Sequence, residues 1–344
     1  MRILVRGTNW IGDAVMSVPA LRLLRASLPD ARISLLTGGW ARDVFEGVDF
    51  VDEIITLDAD HKSIRGLIRQ SRTLREHRFD ATILFPNSFN SALLAHLSGI
   101  PSRIGFASGG RGILLTHTTK VPEWKSSRHE SFLYIELVKE FLASIETEMS
   151  KGDFSEPRLE TSQKNLDLAR QKLKAKGVSL EKPLVILGVG SQNSRAKRWA
   201  SWSFAELSDM LSSELDASVV ILGSAAERHV AEEVASISKS KPLILAGETD
   251  LAEAIGLIAL ADLYIGNDMG LTHIAPALGT ETIAIFGPTN DIATRPLSGK
   301  SHVIRKNVEC APCMLRDCPI DHRCMARIKA SEVFSLAEQC IAVK

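Results

Sequence analysis

The amino-acid sequence predicts an α/β protein built from two doubly wound domains, each a parallel sheet with helices on both faces. Three observations carry this expectation. Short β-branched and leucine-rich runs alternate with helical ones, the pattern of successive β–α units. The alternation stops in a polar stretch around residues 150–182 and then begins again. At 344 residues the chain exceeds one ordinary core and suits two domains of roughly 150 each.

In the first half, strands are expected at 2–6, 32–37, 53–57 and 81–85, and helices near 14–28, 62–77, 89–98 and 130–145. The opening "RILVRGTNWIGD" sets an apolar strand before a loop with Gly7 and Gly12, then an acid, Asp13, where a helix should start. Glycine turns at helix starts hold anions. A carboxylate there repels phosphate, so Asp13 points to proton transfer rather than donor binding. Pro19 falls inside the first helical segment, so the helix either begins near Ser17 or starts at Gly12 and bends. In both cases Asp13 sits at a strand's carboxyl end, where open α/β sheets place ligands.

Residues 1–160 are read as the first domain and 161–182, polar with a helical middle, as a connection. The second domain, 183–328, runs "PLVILGVG" (183–190), a helix near 202–215, "SVVILGS" (218–224), a helix at 225–238 and "PLILAG" (242–247). It continues with a helix at 250–261, "DLYIGND" (262–268), a short helix at 270–278 and "ETIAIFG" (281–287). A terminal helix is expected over 329–344.

Hydrophobic residues at 45% and charged residues at 24% match a soluble globular chain. A formal net charge of zero gives no overall field to recruit nucleic acid, and no such partner is expected. No run approaches the roughly 20 apolar residues of a membrane span. The start "MRILVRG" lacks a signal-peptide core. A cytoplasmic location follows as an expectation. Charge is uneven locally: residues 61–129 hold eleven Lys/Arg against three Asp/Glu. Within this region Ile64, Leu67, Ile68 and Leu74 follow helical spacing, while Lys62, Arg65, Arg69 and Arg72 fall on another side. That is either a solvated face or a landing surface for an anionic membrane or acidic acceptor.

Four segments can carry chemistry. In "GNDMGLTHIAPALG" (266–279) a strand ends at Asn267–Asp268 and a helix starts after Gly270. The backbone N–H groups of Met269 to Thr272 would be unpaired there and could bind a pyrophosphate, and Asp268 could accept from sugar hydroxyls. The alternative makes Asp268 a helix cap and His273 a packed core residue. "GVGSQNSRAKRWASWSF" (188–204) puts Lys197 and Arg198 on a loop at a strand's carboxyl end. A fixed ammonium there would stabilise charge developing on a leaving diphosphate; otherwise the loop is a solvated basic turn. Ser224 and Glu227 stand at capping-box spacing, and a Glu there can also grip a ribose diol. No G-x-G-x-x-G follows the first strand, which argues against a dehydrogenase. "CAPCMLRDCPIDHRC" places Cys310, Cys313, Cys318 and Cys324 within fifteen residues. Four thiolates suit tetrahedral zinc or iron as a structural staple; the other reading is a loop of reduced thiols.

Together these segments resemble glycosyltransferase family 9, the ADP-heptose:lipopolysaccharide heptosyltransferases, and among them the heptosyltransferase II type. "NWIGDAVMSVPALRLL" (9–24), "AKRW" (196–199), "LAGETDLAEAI" (245–255) and "NDMGLTHIAPALG" (267–279) look like family signatures in the right order. The cysteine tail resembles one found in some members only. The resemblance implies the GT-B architecture, two Rossmann-like domains facing across a cleft, with an acceptor-binding first domain and an ADP-sugar-binding second. It implies inverting transfer of L-glycero-D-manno-heptose from ADP-heptose to heptose I of the lipid A-linked inner core, by a protein peripheral to the inner membrane. Asp13 matches the family's general base and Lys197 a donor-phosphate contact. Glu227 matches a ribose-binding acid. Asp268 matches the residue at the heptose–diphosphate region, Gly270, Leu271 and His273 the phosphate-facing turn, and Thr249 the adenine-facing loop. Met269 departs from the family, where Ser or Thr is common, so one side-chain contact to phosphate is missing. No catalytic cofactor is implied. Transfer to another acceptor, a protein or capsule glycan, and non-catalytic sugar-nucleotide binding stay open as alternatives. Retention of Asp13 and Lys197 together speaks against the last.

Overall fold

Among the residues described by the computed structural model, 1–61 and 63–342, twelve strands form two six-stranded sheets. The chain divides after Leu159 into two compact units, one sheet in each. In the first unit the strands are β1 (Arg2–Arg6), β2 (Arg32–Thr37), β3 (Glu53–Thr56), β4 (Ala81–Leu84), β5 (Ser102–Phe106) and β6 (His117–Thr119), in spatial order β3-β2-β1-β4-β5-β6. In the second they are β7 (Leu184–Gly188), β8 (Ser218–Leu222), β9 (Leu243–Ile244), β10 (Leu263–Asn267), β11 (Glu281–Phe286) and β12 (Ser301–Arg305), in order β12-β11-β10-β7-β8-β9. Every pairing is parallel. Parallel sheets are covered on both faces by crossover helices, which is why the central strands read as unbroken apolar runs. All five residues of β7 and all five of β10 are buried.

The strand order places a switch point in each sheet. β1 lies between β2 and β4, and β7 between β8 and β10, so consecutive connections leave in opposite directions. The crevice outside the carboxyl ends at such a point is where these folds bind ligands. Asp13 follows β1, Lys197 follows β7 and Asp268 follows β10.

Several elements differ from expectation. The first helix is one element, Ile11–Ser27, running through Pro19 at the cost of one backbone hydrogen bond. The polar stretch at 161–182 is more than a connection, because its helix, Gln163–Ala175, packs on helix Leu251–Leu260 of the second unit. Gly256 permits this approach: a Cβ there would stand 2.4 Å from the Asn165 carbonyl oxygen. Lys172 Nζ then reaches Glu253 at 2.8 Å. The terminal helix, Ala330–Ala342, packs on helix Ser201–Glu214 and on β11.

Helix Ile64–Glu76 corrects the expected basic face. It buries Gly66, Leu67, Gln70, Ser71 and Leu74. Ile64 and Ile68, assigned to the apolar face, are solvent-exposed beside Arg65 and Arg72. Gly66 lets the 58–61 turn pack on the helix, since a Cβ there would lie 2.2 Å from the Asp60 carbonyl oxygen. That packing rotates the buried stripe. Arg69 is paired with Asp58 at 2.8 Å and with Asp60, and both pairings raise its proton affinity, so it is a less available cation than Arg65 or Arg72. Lys62 lies outside the described residues. Among the described residues, no helix is long and apolar enough to cross a membrane.

Candidate active site

In the second unit the site is built by removing side chains from the end of β7. A Cβ on Gly188 would fall 2.0 Å from the Tyr264 hydroxyl oxygen, and one on Gly190 would fall 2.2 Å from Glu227 Oε1. Glycine at 190 therefore leaves room for a buried carboxylate. Glu227 Oε2 accepts from the Ser224 amide at 2.9 Å and its hydroxyl at 2.7 Å, closing a capping box. Glu227 Oε1 is buried and has no hydrogen-bond partner in the protein. A buried acceptor left open costs about 1–3 kcal/mol unless a ligand fills it. Gly247, at φ +76°, sets its backbone against Ala225 and brings the Thr249 loop beside the same turn.

The second cluster sits at the end of β10. Asp268 is buried, with Oδ2 2.7 Å from Lys197 Nζ and 2.8 Å from the Thr289 hydroxyl that donates to it. His273 Nε2 stands 3.8 Å from Oδ1, an ion-pair distance rather than a hydrogen bond. Burial works to raise the proton affinity of Asp268, but His273 and Lys197 reverse this and hold its pKa at about 2. Asp268 Oδ2 is thus engaged by Lys197 and Thr289, which places the carboxylate as a counter-ion beside the ammonium. The helix Gly270–Ala277 begins beside them, and its first amides, Gly270 and Leu271, lack intrahelical partners by geometry.

One assignment on this turn needs correction. Thr272 does not offer a free amide: its N–H donates to the Met269 carbonyl at 3.1 Å, and its buried hydroxyl donates to the Asn267 carbonyl. Its role is to close the turn. The Leu271 side chain is buried, so only its backbone can face a ligand. Met269 caps the helix without a side-chain hydrogen bond, and its sulfur packs toward Gly188.

Asn267 is the organising residue that motif reading missed. Fully buried, it accepts from the Trp199 amide at 2.9 Å and donates to the carbonyls of Val189 (2.8 Å) and Gly190 (3.1 Å). One side chain thereby pins both ends of the 189–199 loop that carries Lys197. Its position next to Asp268 at a strand end was the available signal.

In the first unit Asp13 occupies the first turn of helix Ile11–Ser27, half-buried, where negative charge is favoured. Its charge, after burial, helps raise the proton affinity of the buried Tyr134. The loop before it is braced by Arg6, which burial lowers to about 10 and which donates to the Gly7 carbonyl and to Asn9 Oδ1 at 2.6 Å. Arg111, counted in the basic region, is wholly buried. It donates to the Phe106 carbonyl (2.9 Å), Asn87 Oδ1 (3.0 Å) and Ser91 Oγ (3.2 Å), fixing the loop after β4.

Comparison with known proteins completes the assignment. The model of "Glycosyltransferase family 9 (heptosyltransferase)" matches residues 67–323. Lipopolysaccharide heptosyltransferase 2 of Salmonella typhimurium is 32% identical over 315 residues, 89% of this chain and 88% of that protein. The chain belongs to glycosyltransferase family 9. A solved Escherichia coli structure, that of ADP-heptose lps heptosyltransferase II, matches with a TM-score of 0.84 at 28% identity, covering 99% of each chain. The two doubly wound units of this glycosyltransferase are therefore the family's architecture.

The cysteine tail packs against the Lys197 loop. The Ala196 amide donates to the Arg316 carbonyl at 2.9 Å, and Ser194 Oγ donates to the same carbonyl at 3.1 Å. His322 Nε2 lies 2.6 Å from the Ala196 carbonyl oxygen, and Arg195 pairs with Asp317 at 2.6 Å. Cys310 and Cys313 are exposed, Cys318 half-buried and Cys324 buried, all as free thiols. Burial chiefly raises the proton affinity of the Cys324 thiol, and the charges of Cys310, Cys313 and Cys318 add to it. Among the described residues, these thiols do not form a group whose ligand atoms all lie within 4.8 Å of one another.

Proposed function

We propose that this chain transfers L-glycero-D-manno-heptose from ADP-heptose to heptose I of the lipopolysaccharide inner core, with inversion at the anomeric carbon. Its similarity to the lipopolysaccharide heptosyltransferase 2 proteins of Salmonella typhimurium and Escherichia coli, each 32% identical, supports this reading. The observation that carries it is the open, buried Glu227 Oε1 over Gly190, at the same carboxyl end of the second sheet as the Lys197–Asp268 pair and the Gly270 helix start. Glu227 takes a ribose hydroxyl, Thr249 faces the adenine, and the amides of Gly270 and Leu271 with Lys197 take the diphosphate. His273 holds Asp268, and Asp268 holds Lys197. Asp13 removes the acceptor proton as the oxygen attacks the side opposite ADP. A single displacement needs one base and one stabilised leaving group. Positive charge for departing ADP comes from Lys197 and the helix start, so the proposed reaction draws on no catalytic metal.

The proposal extends to a cytoplasmic protein held at the inner membrane by the exposed Arg65, Arg72, Ile64 and Ile68 surface, which would meet anionic lipid or the anionic acceptor. Transfer to defined acceptors bearing zero, one or two heptoses, read by mass, tests the acceptor assignment. One added heptose on the one-heptose acceptor supports the assignment, and use of only the zero-heptose acceptor refutes it. An Arg65→Ala/Arg72→Ala variant is expected to raise KM for the lipid-linked acceptor and leave KM for ADP-heptose unchanged; equal acceptor KM removes the docking role.

Glu227→Gln is expected to raise KM for ADP-heptose by about 10- to 100-fold, the worth of one hydrogen bond to a charged acceptor, with kcat little changed. An unaltered KM would place Glu227 in the helix cap alone. For the tail, the proposal is a structural zinc or iron held by Cys310, Cys313, Cys318 and Cys324 after the loop tightens. Elemental analysis of untagged protein should then find metal that Cys313→Ser loses; metal-free wild type rules it out.

A further inference from the structure

At the end of the second sheet opposite the donor residues, three side chains with metal-binding chemistry meet. Glu281 opens β11, His302 is the second residue of β12, and Cys340 lies on helix Ala330–Ala342. Register explains the meeting. His302 pairs with Ile283, and side chains two apart on a strand share a face, so His302 and Glu281 project on one side of the sheet. Ile283 and Cys340 belong to one core cluster, which puts the terminal helix on that same side. His302 Nε2 is 3.6 Å from Glu281 Oε2, and with Cys340 Sγ all three ligand atoms lie within 4.8 Å of one another.

These separations are near what a single ion needs. Ligands about 2.0–2.3 Å from zinc at tetrahedral angles stand roughly 3.3–3.8 Å apart. The set is one sulfur, one nitrogen and one oxygen from three separate elements, the mixture that suits zinc rather than calcium or magnesium. Cys340 is buried, whereas Glu281 and His302 are part-exposed and so open an entry path. Lys300 Nζ, 3.8 Å from Glu281 Oε1, is the resident competitor, but its side chain is half exposed and can swing into water.

We propose that Cys340, His302 and Glu281 form a zinc site with water in the fourth position, which fastens the terminal helix to the β11–β12 edge. The site is separate from the cysteine tail and takes no part in transfer. Its test is a calorimetric titration of the full-length, chelator-treated chain with ZnCl2, in a Cys310→Ser/Cys313→Ser/Cys318→Ser background that disables the tail. One zinc per chain is expected, with affinity lowered at least about tenfold by His302→Ala and by Glu281→Gln. Cobalt added to the same background should give a thiolate-to-cobalt absorption band that Cys340→Ser removes. Should Cys340→Ser fail to fold, His302→Ala, on a part-exposed edge strand, tests the same site through its loss of zinc affinity. Absence of stoichiometric zinc binding in the background variant overturns the proposal, as does binding that His302→Ala and Glu281→Gln leave intact.

Discussion

Asp13→Ala is expected to lower turnover by about 100- to 10,000-fold, the usual scale of general-base catalysis, while ADP-heptose still binds. The split between the two readouts follows from where the residues sit. The groups proposed to hold the donor, Glu227, Lys197, Asp268 and the Gly270 turn, all belong to the second unit. Asp13 belongs to the first and stands at that sheet's own switch point. Its helix is anchored by ten buried residues, Ala14 to Leu24 among them, so loss of a half-buried carboxylate leaves the element in place. Asp13→Asn makes the sharper comparison, because it keeps shape and hydrogen bonding but cannot take a proton. Calorimetry with ADP-heptose and single-turnover transfer read the two steps separately. If Asp13→Asn transfers at the wild-type rate, the base lies elsewhere.

The central strands and the helices between them were legible because burial on both faces writes itself as continuous apolar runs, as in "LVILG" and "LYIGN". The margins were legible only in part: β3 and β9 fall within expected strands, but β5, β6 and β12 are absent from them. β6 is three mostly exposed residues, and β12 is half-buried throughout, so neither shows the core pattern. Gly105 breaks the apolar run in β5, where a Cβ would stand 2.9 Å from the Arg111 guanidinium. Charge counting failed for a related reason. Arg111 looks like any surface arginine in sequence, yet it is spent entirely on carbonyls, an amide and a hydroxyl inside the first unit. Helical periodicity placed Ile64 and Ile68 inward because it cannot see Asp60 packing over Gly66. At the site, residue types and spacing singled out Lys197, Glu227 and Asp268 as candidates but left a structural reading open for each. What they could not say is that Lys197 and Asp268 face each other, or that Asn267 ties their two loops together. Both facts depend on β7 and β10 being neighbours in the sheet although β8 and β9 lie between them in the chain.

That pairing sets the second large effect. Lys197→Met should lower turnover by about 100- to 1,000-fold, since the ammonium meets charge that grows on departing ADP. It should also cost stability, because Asp268 would remain buried without the ammonium paired to it. The direction with pH follows from the carboxyl. Asp268 falls from an ordinary 3.8 to about 2 in the folded chain, so its ionised form, in the whole of its surroundings, contributes about 2 kcal/mol that is fully present above the ordinary value. That contribution is lost as pH falls through about 2. Without Lys197, one of the two groups that oppose the effect of burial is gone, and the carboxyl of Asp268 becomes easier to protonate. Lys197→Met should then unfold at a higher pH in acid titration than the wild type. Adding Asp268→Asn to Lys197→Met removes the stranded charge. The double variant should recover most of the lost stability while turnover stays low, and the cycle of four proteins measures the coupling directly. Recovery of stability without recovery of rate separates an ammonium that works on the substrate from one that merely balances Asp268. A double variant as unstable as Lys197→Met alone would mean that the two groups do not depend on each other.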